Sequence, residues 1–364
     1  MPAPVLLDAT PLASAHAVRG IGASVEGVLE GFRAMPSEAR PELLLLHGQP
    51  IPEGFSALRM RWPRWPFYRV PDPWPALAGE RLARRRAGRR LFHATHPGLV
   101  PAGRGVVSCY DLIPACFPRE YLGGPGRAGE RVAYGRYLRR LRAAEVILSP
   151  SRETAADAAR LARVDPARIR VVPLAAPAAP APEGAPPDGR YVLFAGALEP
   201  HKNAPLAVDT IARAAPGVRL AMAGPWSARR AERLRRHAAR VGAEGRVEWL
   251  GFLSPGRLAA ARAAAVAVLV PSRKEGFGFP VLEGMAAGVP VLAADTPALR
   301  EVGGDAAWYL PPDRPAEWAR AIDELAADEA RRAQLAERGR ARVTAYSWEE
   351  TARRVAEAYA EAAG

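Results

Sequence analysis

Short apolar runs alternate with amphipathic stretches after residue 189, and this alternation constrains the fold more than any other feature of the chain. The apolar runs have the length of strands, and the stretches between them carry apolar residues at helical spacing. Strands that alternate with helices pair in parallel, so we expect a doubly wound α/β sheet. The predicted strands are residues 191–195, 218–223, 247–252, 266–270, 289–293 and 307–310, and the predicted helices include 206–215, 228–241 and 257–264.

The first half of the chain repeats this scheme, with predicted strands at residues 5–7, 43–46, 91–93, 106–109 and 146–148. A Pro/Ala-rich linker at 175–189 separates the halves, because proline removes backbone donors and fixes φ. We predict Rossmann-like domains over 1–174 and 190–345, with a C-terminal helix in 346–364, capped by Ser347, that packs back on the first. Two such sheets place a ligand cleft between them, at the carboxyl ends of their strands.

The formal net charge is +13 and is carried by arginine, since lysine occurs only at Lys202 and Lys274. Two interpretations stay open: a compositional bias, or attraction to anions such as nucleotide diphosphates, polyprenyl phosphates or an acidic membrane face. Nucleic acid is not an expected partner, because no nucleic-acid-binding signature accompanies the charge. Cys109 and Cys116 have neither metal-site nor disulfide spacing. No signal peptide or membrane span is recognised, so a cytoplasmic location is expected.

A glycine-rich turn joins the predicted strand 266–270 to a helix that Pro280 opens, where the missing N–H of proline costs nothing. Backbone N–H groups at such a helix N-terminus attract a diphosphate. Glu283, eight residues after Glu275, is expected in the first helical turn. Glu275 suits the hydroxyls of a donor sugar and Glu283 those of a ribose, unless both are ordinary solvated charges. The predicted donor-binding residues of this segment are Glu275, Gly276, Phe277, Gly278, Phe279 and Glu283.

The full string EGFGFPVLEGMAAGVPVLAAD, residues 275–295, resembles the E-x7-E signature of family 4 glycosyltransferases, the group 1 family of GT-B fold. The resemblance covers most of the chain after the linker and scattered islands before it. It implies two Rossmann-like domains that face a central cleft, and a retaining, metal-independent transfer from a nucleotide sugar. It also implies that the acceptor attacks the face from which the diphosphate leaves. Glu275 would then orient the sugar and stabilise charge, without acting as a nucleophile.

A second string, LFAGALEPHKN, resembles the family's Gly-x5-Lys-Asn segment. The resemblance implies that Gly196 and Lys202 lie at the donor phosphates, where an ammonium neutralises charge on the leaving diphosphate. The alternative is a surface lysine at a helix start, but a positive charge there is unfavourable with the helix dipole. Ala197 and His201 stand where many relatives carry arginine. The phosphate site would therefore depend on Lys202, helped by His201 or by Arg273.

Two further positions resemble donor-binding elements of the family. Gly20-Ile21-Gly22 resembles its Gly-Ile-Gly loop near the donor phosphate, although a helix-start turn explains Gly20 and Gly22 equally well. Leu253 resembles the backbone position that meets the nucleotide base.

The segment around Tyr110 and Asp111 resembles the family's His-Asp-Leu segment, with Tyr110 in place of the histidine. That histidine positions the acceptor and the transferred sugar in the family, so we place Tyr110 on the acceptor side. His93 and His96 are candidates to take over its role, unless they are ordinary loop residues. The predicted catalytic residues are thus Glu275, Lys202 and Asp111, with Tyr110 and His93 on the acceptor side.

Residues 59–90 interleave tryptophan, phenylalanine and tyrosine with arginine and proline. Aromatic rings and cations together suit an anionic membrane interface, where each basic residue adds about 1 kcal/mol. The alternative is a proline-rich loop packed on its own domain, followed by a solvated helix. A peripheral position at the inner face of the membrane is one of the two expectations.

The sequence predicts a hexosyltransferase that uses a nucleotide-diphosphate sugar, GDP- or UDP-linked, as co-substrate, with no separate cofactor and no metal site. Mannose is the first sugar considered, and the acceptor is a glycan, a lipid-linked sugar or a small molecule. Two alternatives stay open: a nucleotide-sugar-binding scaffold with weak or no catalysis, and a GT-B sugar-nucleotide epimerase.

Overall fold

The computed structural model describes residues 4–13, 20–60, 88, 90–95 and 105–364. The chain forms two compact units, the first comprising Met1–Ala175 with Tyr346–Gly364, and the second Ala176–Ala345. Each unit is built around one parallel sheet whose strands are joined mainly by helices. The predicted α/β class, with two Rossmann-like sheets, is confirmed.

The strands of the first unit, within the described residues, are β1 (Val5–Asp8), β2 (Glu42–Leu46), β3 (Ala57–Met60), β4 (Leu91–Ala94), β5 (Gly105–Ser108), β6 (Val146–Ser149) and β7 (Ile169–Val171). They pair in parallel in the order β3-β2-β1-β4-β5-β6-β7. Connections lead to both sides of β1, as in doubly wound sheets. Successive residues Leu6 and Leu7 of β1 point to opposite faces, and both are buried. Both faces of the sheet are therefore covered, as parallel sheets require.

The C-terminal helix packs on the first helix of the same unit. The helices of this unit, in the described residues, are α1 (Gly20–Arg33), α2 (Ile113–Cys116), α3 (Pro118–Tyr121), α4 (Ala128–Ala143), α5 (Arg152–Leu161) and α13 (Trp348–Ala363). Ser347 caps α13 as predicted, since its hydroxyl accepts the N–H of Glu350 at 3.1 Å. A Cβ added to Gly31 would lie 2.0 Å from the carbonyl oxygen of Trp348, and one added to Gly27 would lie 2.1 Å from its ring. Glycine at both positions lets the two helix backbones approach.

The strands of the second unit are β8 (Tyr191–Ala195), β9 (Arg219–Ala223), β10 (Val247–Gly251), β11 (Ala267–Val270), β12 (Val291–Ala294) and β13 (Trp308–Leu310). They pair in the order β10-β9-β8-β11-β12-β13, so the strand order reverses at β8. The helices are α6 (Ala204–Ile211), α7 (Ala228–Arg240), α8 (Pro255–Ala263), α9 (Phe279–Ala286), α10 (Pro297–Gly303), α11 (Pro315–Ala327) and α12 (Glu329–Val343). All predicted strands of this half are present, with bounds within two residues.

Two strands of the first unit were not predicted. β3 and β7 are the edge strands of their sheet, and their sequences, ALRM and IRV, are only four and three residues long and each contain an arginine. An edge strand has one neighbour and gains less from burial, so its sequence is less constrained. Helix α8 begins two residues before the predicted start, because the hydroxyl of Ser254 accepts the N–H of Arg257 and Pro255 occupies the first helical position.

The basic and aromatic tract, 59–90, lies mostly outside the described residues, as does His96. The membrane-surface interpretation of this tract therefore stays a prediction. Among the helices that the structure describes, none combines the length and the apolar character needed to cross a bilayer.

Candidate functional site

The loops that follow β8 and β11 lie side by side, because these strands are paired at the centre of the second sheet. The first loop leads from Gly196 to a short 3-10 helix, Pro200–Lys202. The second contains the glycine-rich turn that ends at the start of α9. In doubly wound sheets, ligands bind where the strand order reverses, at the carboxyl ends of the strands. These two loops carry most of the predicted donor-site residues.

Lys202 and Glu275 form an ion pair between the two loops. The ammonium of Lys202 donates to both carboxylate oxygens of Glu275, at 2.7 and 2.9 Å. The Glu275 residue is 6% exposed, and the Lys202 side chain is 21% exposed. Burial by itself would raise the pKa of the Glu275 carboxyl, but the charge and hydrogen bond of Lys202 hold that pKa below its usual value. The structure thus joins two of the residues that the sequence analysis predicted to be catalytic.

Asn203 fixes the loop that carries Lys202. Its backbone is left-handed, with φ 55° and ψ 37°, a conformation that asparagine adopts more readily than most residues. Its side-chain amide donates to the carbonyl of Pro271 at 3.1 Å and to that of Pro312 at 2.8 Å. One side chain therefore ties together the loops after β8, β11 and β13. The sequence analysis did not select Asn203, although asparagine directly before a helix was a usable signal.

His201 and Arg273 stand beside the ion pair as its expected helpers. His201 is 8% exposed, and burial together with the nearby Lys202 charge lowers the pKa of its imidazole to about 4. At neutral pH His201 is therefore an uncharged ring and supplies no second cation. Arg273 donates its N–H to the carbonyl of His201 at 2.8 Å and its guanidinium to that of Pro200 at 3.0 Å. Its exposed side chain remains the candidate for a second positive charge.

The glycine-rich turn leads directly into α9. Gly278 is the N-cap residue, with φ 125°, a value that residues with a side chain rarely adopt. Phe277 is buried and contacts Phe279 edge to face, with ring centroids 5.6 Å apart. Within the described part of the chain, the backbone N–H groups of Gly278 and Phe279 have no hydrogen-bond partner. Donors of this kind at the start of α9 suit an anionic group.

Glu283 lies in the second turn of α9, as the fifth residue of the helix, and not in the first turn as expected. The expectation was wrong because the helix begins at Phe279. At this position Glu283 is too far along α9 to complement the free N–H groups of its first turn. Its carboxylate accepts a hydrogen bond from the guanidinium of Arg262 on α8 at 2.6 Å. Arg262 is 7% exposed, so Glu283 is held by a buried partner that the sequence did not indicate.

Gly196 is held from the neighbouring loop after β9. The indole N–H of Trp226 donates to the carbonyl of Gly196 at 2.8 Å. Gly224 approaches so closely that an added Cβ would lie 2.0 Å from the same carbonyl oxygen. Leu253 follows β10 and is half-buried, next to Phe252, whose exposed fraction is 64%. Leu253 follows β10, Gly196 follows β8 and Glu275 follows β11. All three therefore lie after the carboxyl ends of strands in the same parallel sheet.

The predicted first-half residues Gly20, Gly22 and Asp111 lie in the first unit. Gly20 and Gly22 form the first turn of α1, which agrees with the helix-start alternative. Asp111 follows β5, and its carboxylate accepts the N–H of Ile113 at 3.0 Å at the start of α2. The structure thus gives Asp111 a local structural partner, and its catalytic role stays a prediction.

Tyr110 and His93 share a buried polar cluster in the first unit. His93 lies on β4, is 2% exposed, and contacts the hydroxyl of Tyr359 through Nδ1 at 2.7 Å and that of Ser108 through Nε2 at 2.9 Å. The hydroxyl of Tyr110 lies near Ser108 and Ser24, and burial raises its pKa. His93 is a strand residue with both nitrogens engaged, and not the loop histidine of the alternative interpretation. Its contact with an acceptor stays a prediction.

Asp8, at the carboxyl end of β1, is a buried carboxylate that the sequence analysis did not select. Its Oδ1 accepts the backbone N–H and the hydroxyl of Thr10 at 3.0 and 2.6 Å. Its Oδ2 is buried and has no hydrogen-bond partner among the residues that the structure describes. Burial raises the pKa of Asp8 to about 6.

Comparisons with known proteins show the family and the fold of the chain. The family model described as "Glycosyl transferases group 1" matches residues 176–342. A D-inositol 3-phosphate glycosyltransferase of Acidothermus cellulolyticus is 31% identical over 375 residues, which cover 94% of this chain and 77% of that protein. An O-antigen chain mannosyltransferase B of Escherichia coli is 38% identical over 117 residues, 32% of this chain and 30% of that protein.

Other D-inositol 3-phosphate glycosyltransferases match the chain over 42–58% of their own length. Among solved structures, the sucrose-phosphate synthase of Thermosynechococcus elongatus superposes with a TM-score of 0.78 and 19% identity, over 98% of both chains. At this identity the likeness shows a common fold.

Proposed function

The chain belongs to the group 1 glycosyltransferases, and we propose that it transfers a hexose from a nucleotide-diphosphate sugar to an acceptor, with retention of the anomeric configuration. The observation that carries this proposal is the contact between Lys202 and Glu275 beside the start of α9. A cation for phosphates, a carboxylate for hydroxyls and free backbone donors are the groups that such a donor needs. All three are at the carboxyl edge of one sheet.

In the proposed reaction Lys202 neutralises the charge that develops on the leaving diphosphate. Glu275 accepts hydrogen bonds from hydroxyls of the transferred sugar and stabilises the positive charge that builds on its ring. Lys202 keeps the Glu275 carboxylate ionised for this role, as its lowered pKa indicates. The acceptor attacks the face from which the diphosphate leaves, and a phosphate oxygen takes its proton. Positioning and charge stabilisation supply the rate enhancement, with no metal ion required.

The nucleoside part of the donor is assigned to the strand ends beside this pair. Glu283, held by Arg262, is proposed to bind the ribose hydroxyls, and the backbone at Leu253 to meet the base. The strands β10, β9, β8 and β11 are consecutive, with about 4.8 Å between neighbours, so Leu253 and Glu275 follow strands roughly 14 Å apart. That span suits the length of a nucleotide sugar laid across the sheet.

Mannose from GDP-mannose is proposed as the first donor to test. Its support is the Leu-Glu-Pro-His-Lys-Asn string that ends at Asn203, together with the local match to a mannosyltransferase. UDP-glucose is the second donor to test. The acceptor classes to test are a polyol phosphate, a glycan and a lipid-linked sugar. A polyol phosphate is included because D-inositol 3-phosphate glycosyltransferases are among the relatives.

A second candidate function is a nucleotide-sugar-binding relative that catalyses no transfer. Two departures from the family pattern favour it: Ala197 in place of an arginine, and Tyr110 in place of a histidine. The neutral state of His201 adds to this, because it leaves Lys202 with less help at the diphosphate. The two functions differ in turnover and not in binding, so product formation separates them.

A thermal-shift screen against GDP, UDP, ADP and their common sugars, with and without EDTA, tests the proposal. We expect one nucleotide to raise Tm by several degrees with EDTA present, and its sugar to give a product with the donor's anomeric configuration by NMR. Binding of that nucleotide without product from any acceptor class would favour the second candidate. No shift with any nucleotide at millimolar concentration would contradict both.

A further inference from the structure

Arg262 carries a buried guanidinium in the second unit and directs it at Glu283. The side chain of Arg262 is 9% exposed, and its Nη2 donates to Oε2 of Glu283 at 2.6 Å. A buried cation without a counter-charge strongly destabilises a fold. The contact with the Glu283 carboxylate therefore compensates the burial of Arg262.

The direction of α8 explains how Arg262 reaches Glu283. α8 follows β10, so it begins at the carboxyl edge of the sheet and runs back towards the amino end of β11. Arg262 is the second-to-last residue of α8, and the side chains of a helix lean towards its N-terminus. The long side chain of Arg262 therefore extends back towards the carboxyl edge, where α9 begins.

Glu283 keeps one carboxylate oxygen for a ligand. Its side chain is 29% exposed, Oε2 accepts from Arg262, and Oε1 has no hydrogen-bond partner in the part of the chain that the structure describes. Glu283 lies four residues after Phe279, so the two share one side of α9, and the Glu283 side chain leans towards the start of that helix. Oε1 is thus available about one helical turn from the N–H groups proposed for the diphosphate.

We propose that Arg262 is a positioning residue for the nucleoside: by holding Oε2 of Glu283 it fixes the direction in which Oε1 meets a ribose hydroxyl. This inference rests on the proposed function, in which Glu283 binds the ribose. A glutamate side chain has several rotatable bonds, so a carboxylate that is fixed before the ligand arrives loses less conformational entropy on binding. Arg262 therefore makes the site selective for ribose over deoxyribose without itself contacting the ligand.

The charge of Arg262 also favours an anionic ligand. A nucleoside diphosphate is negatively charged, and an uncompensated carboxylate beside its ribose would repel it. Arg262 neutralises Glu283 in the same way as Lys202 neutralises Glu275. Each acid of the proposed donor site can thus accept hydrogen bonds from hydroxyls while the ion pair to which it belongs carries no net charge.

The test compares a ribonucleotide with its deoxy analogues. The nucleoside diphosphate that gives the largest thermal shift, and its 2′-deoxy and 3′-deoxy forms, are titrated calorimetrically into full-length wild type, Arg262→Met and Glu283→Gln. We expect wild type to bind the ribonucleotide about tenfold more tightly than at least one deoxy form, the value of one hydrogen bond to a charged group. In both variants this ratio should fall to about threefold or less, because no fixed carboxylate then meets the hydroxyl.

Arg246→Met is the matched control for the loss of an arginine that is not exposed. Arg246 donates to the carbonyls of Ala214, Ala215 and Val218 at 2.8, 2.6 and 2.8 Å, ahead of β9 and thus at the opposite edge of the same sheet. We expect this variant to lower Tm and to keep the wild-type ratio. If Arg262→Met does not fold, Arg262→Lys takes its place. The lysine keeps the buried charge, but its ammonium ends short of the guanidinium donors, so the ratio should again fall to about threefold.

Two results would overturn the inference and leave the proposed function supported by nucleotide binding. The first is a wild-type ratio in a folded Arg262 variant, or an equal loss of the ratio in Arg246→Met. The second is a wild type that binds ribonucleotide and deoxy forms equally, since Glu283 would then not bind the ribose. If no nucleotide binds to wild type, the proposed function fails, and the inference fails with it.

Discussion

The ammonium of Lys202 lies 2.7 and 2.9 Å from the two carboxylate oxygens of Glu275, and 73 residues of chain separate the two. The pair connects the loops after two adjacent strands, so each residue holds the other in the geometry proposed for the donor. The ion pair is therefore expected to contribute to the stability of the fold as well as to donor binding.

Removing one partner of this pair should destabilise the protein more than removing both. Lys202→Met leaves the buried Glu275 carboxylate without its cation, and we expect a loss of about 1–3 kcal/mol in the free energy of unfolding. In Lys202→Met/Glu275→Gln no buried charge is left unpaired, so the loss should be smaller than that of Lys202→Met alone, and therefore smaller than the sum of the single losses. Urea unfolding of the four proteins at pH 7 measures the coupling. Additive losses would show that the two groups do not interact.

The stability that Glu275 provides should disappear in acid. Its folded-state pKa is below the ordinary value of 4.5, so the folded state binds its proton less readily than the unfolded chain does. This contribution is present above about pH 4.5 and is lost as the pH falls through the folded pKa. The difference in unfolding free energy between wild type and Glu275→Gln should therefore shrink between pH 6 and pH 3. A difference that stays constant over this range would contradict the ion pair.

Asp8 should show the opposite dependence. Its pKa is raised from 3.8 to about 6 by burial, so the folded state holds its proton more tightly than the unfolded chain. Its contribution is present below about pH 4 and is lost as the pH rises through 6, a change on the order of 3 kcal/mol. The stability of wild type relative to Asp8→Asn should therefore fall between pH 4 and pH 7. If the two pH profiles run parallel, Asp8 is ionised in the folded protein.

The close approach of α1 and α13 should tolerate no side chain at Gly31. The added Cβ would lie 2.0 Å from the carbonyl oxygen of Trp348, so Gly31→Ala should lower the free energy of unfolding by about 1–3 kcal/mol. Gly135→Ala in α4 is the control: no other atom lies within 4 Å of its Cβ, and we expect a gain of about 0.5–1 kcal/mol. Equal effects of the two substitutions in urea unfolding would refute the packing described for α13.

The central strands of the second sheet could be predicted from the sequence because they are apolar on both faces. The predicted strand 191–195 coincides with β8, which lies between two other strands and buries Tyr191, Val192 and Leu193. β3 and β7 were missed because an edge strand needs less burial and carries a weaker pattern.

Some residues of the candidate site could be predicted from the sequence and others could not. Lys202 and Glu275 were found because each lies in a string that resembles the family, and the structure shows them in contact. Arg262 and Tyr359 were missed because each contacts a partner distant in sequence, which no local pattern reports. Asn203 was not selected although it directly precedes a helix. Glu283 was placed one turn too early, since the exact start of a helix is poorly fixed by sequence.

The most direct test of the central claim is calorimetric titration of the nucleotide found in the screen into wild type, Lys202→Ala and Lys274→Ala. The two variants each remove one of the only two lysines in the chain, so they match in charge. The proposed donor site predicts that Lys202→Ala raises Kd at least about tenfold, the value of one charge-assisted contact to phosphate, and that Lys274→Ala leaves Kd unchanged. Wild-type affinity in Lys202→Ala, or equal losses in both variants, would contradict a donor site built on Lys202 and Glu275.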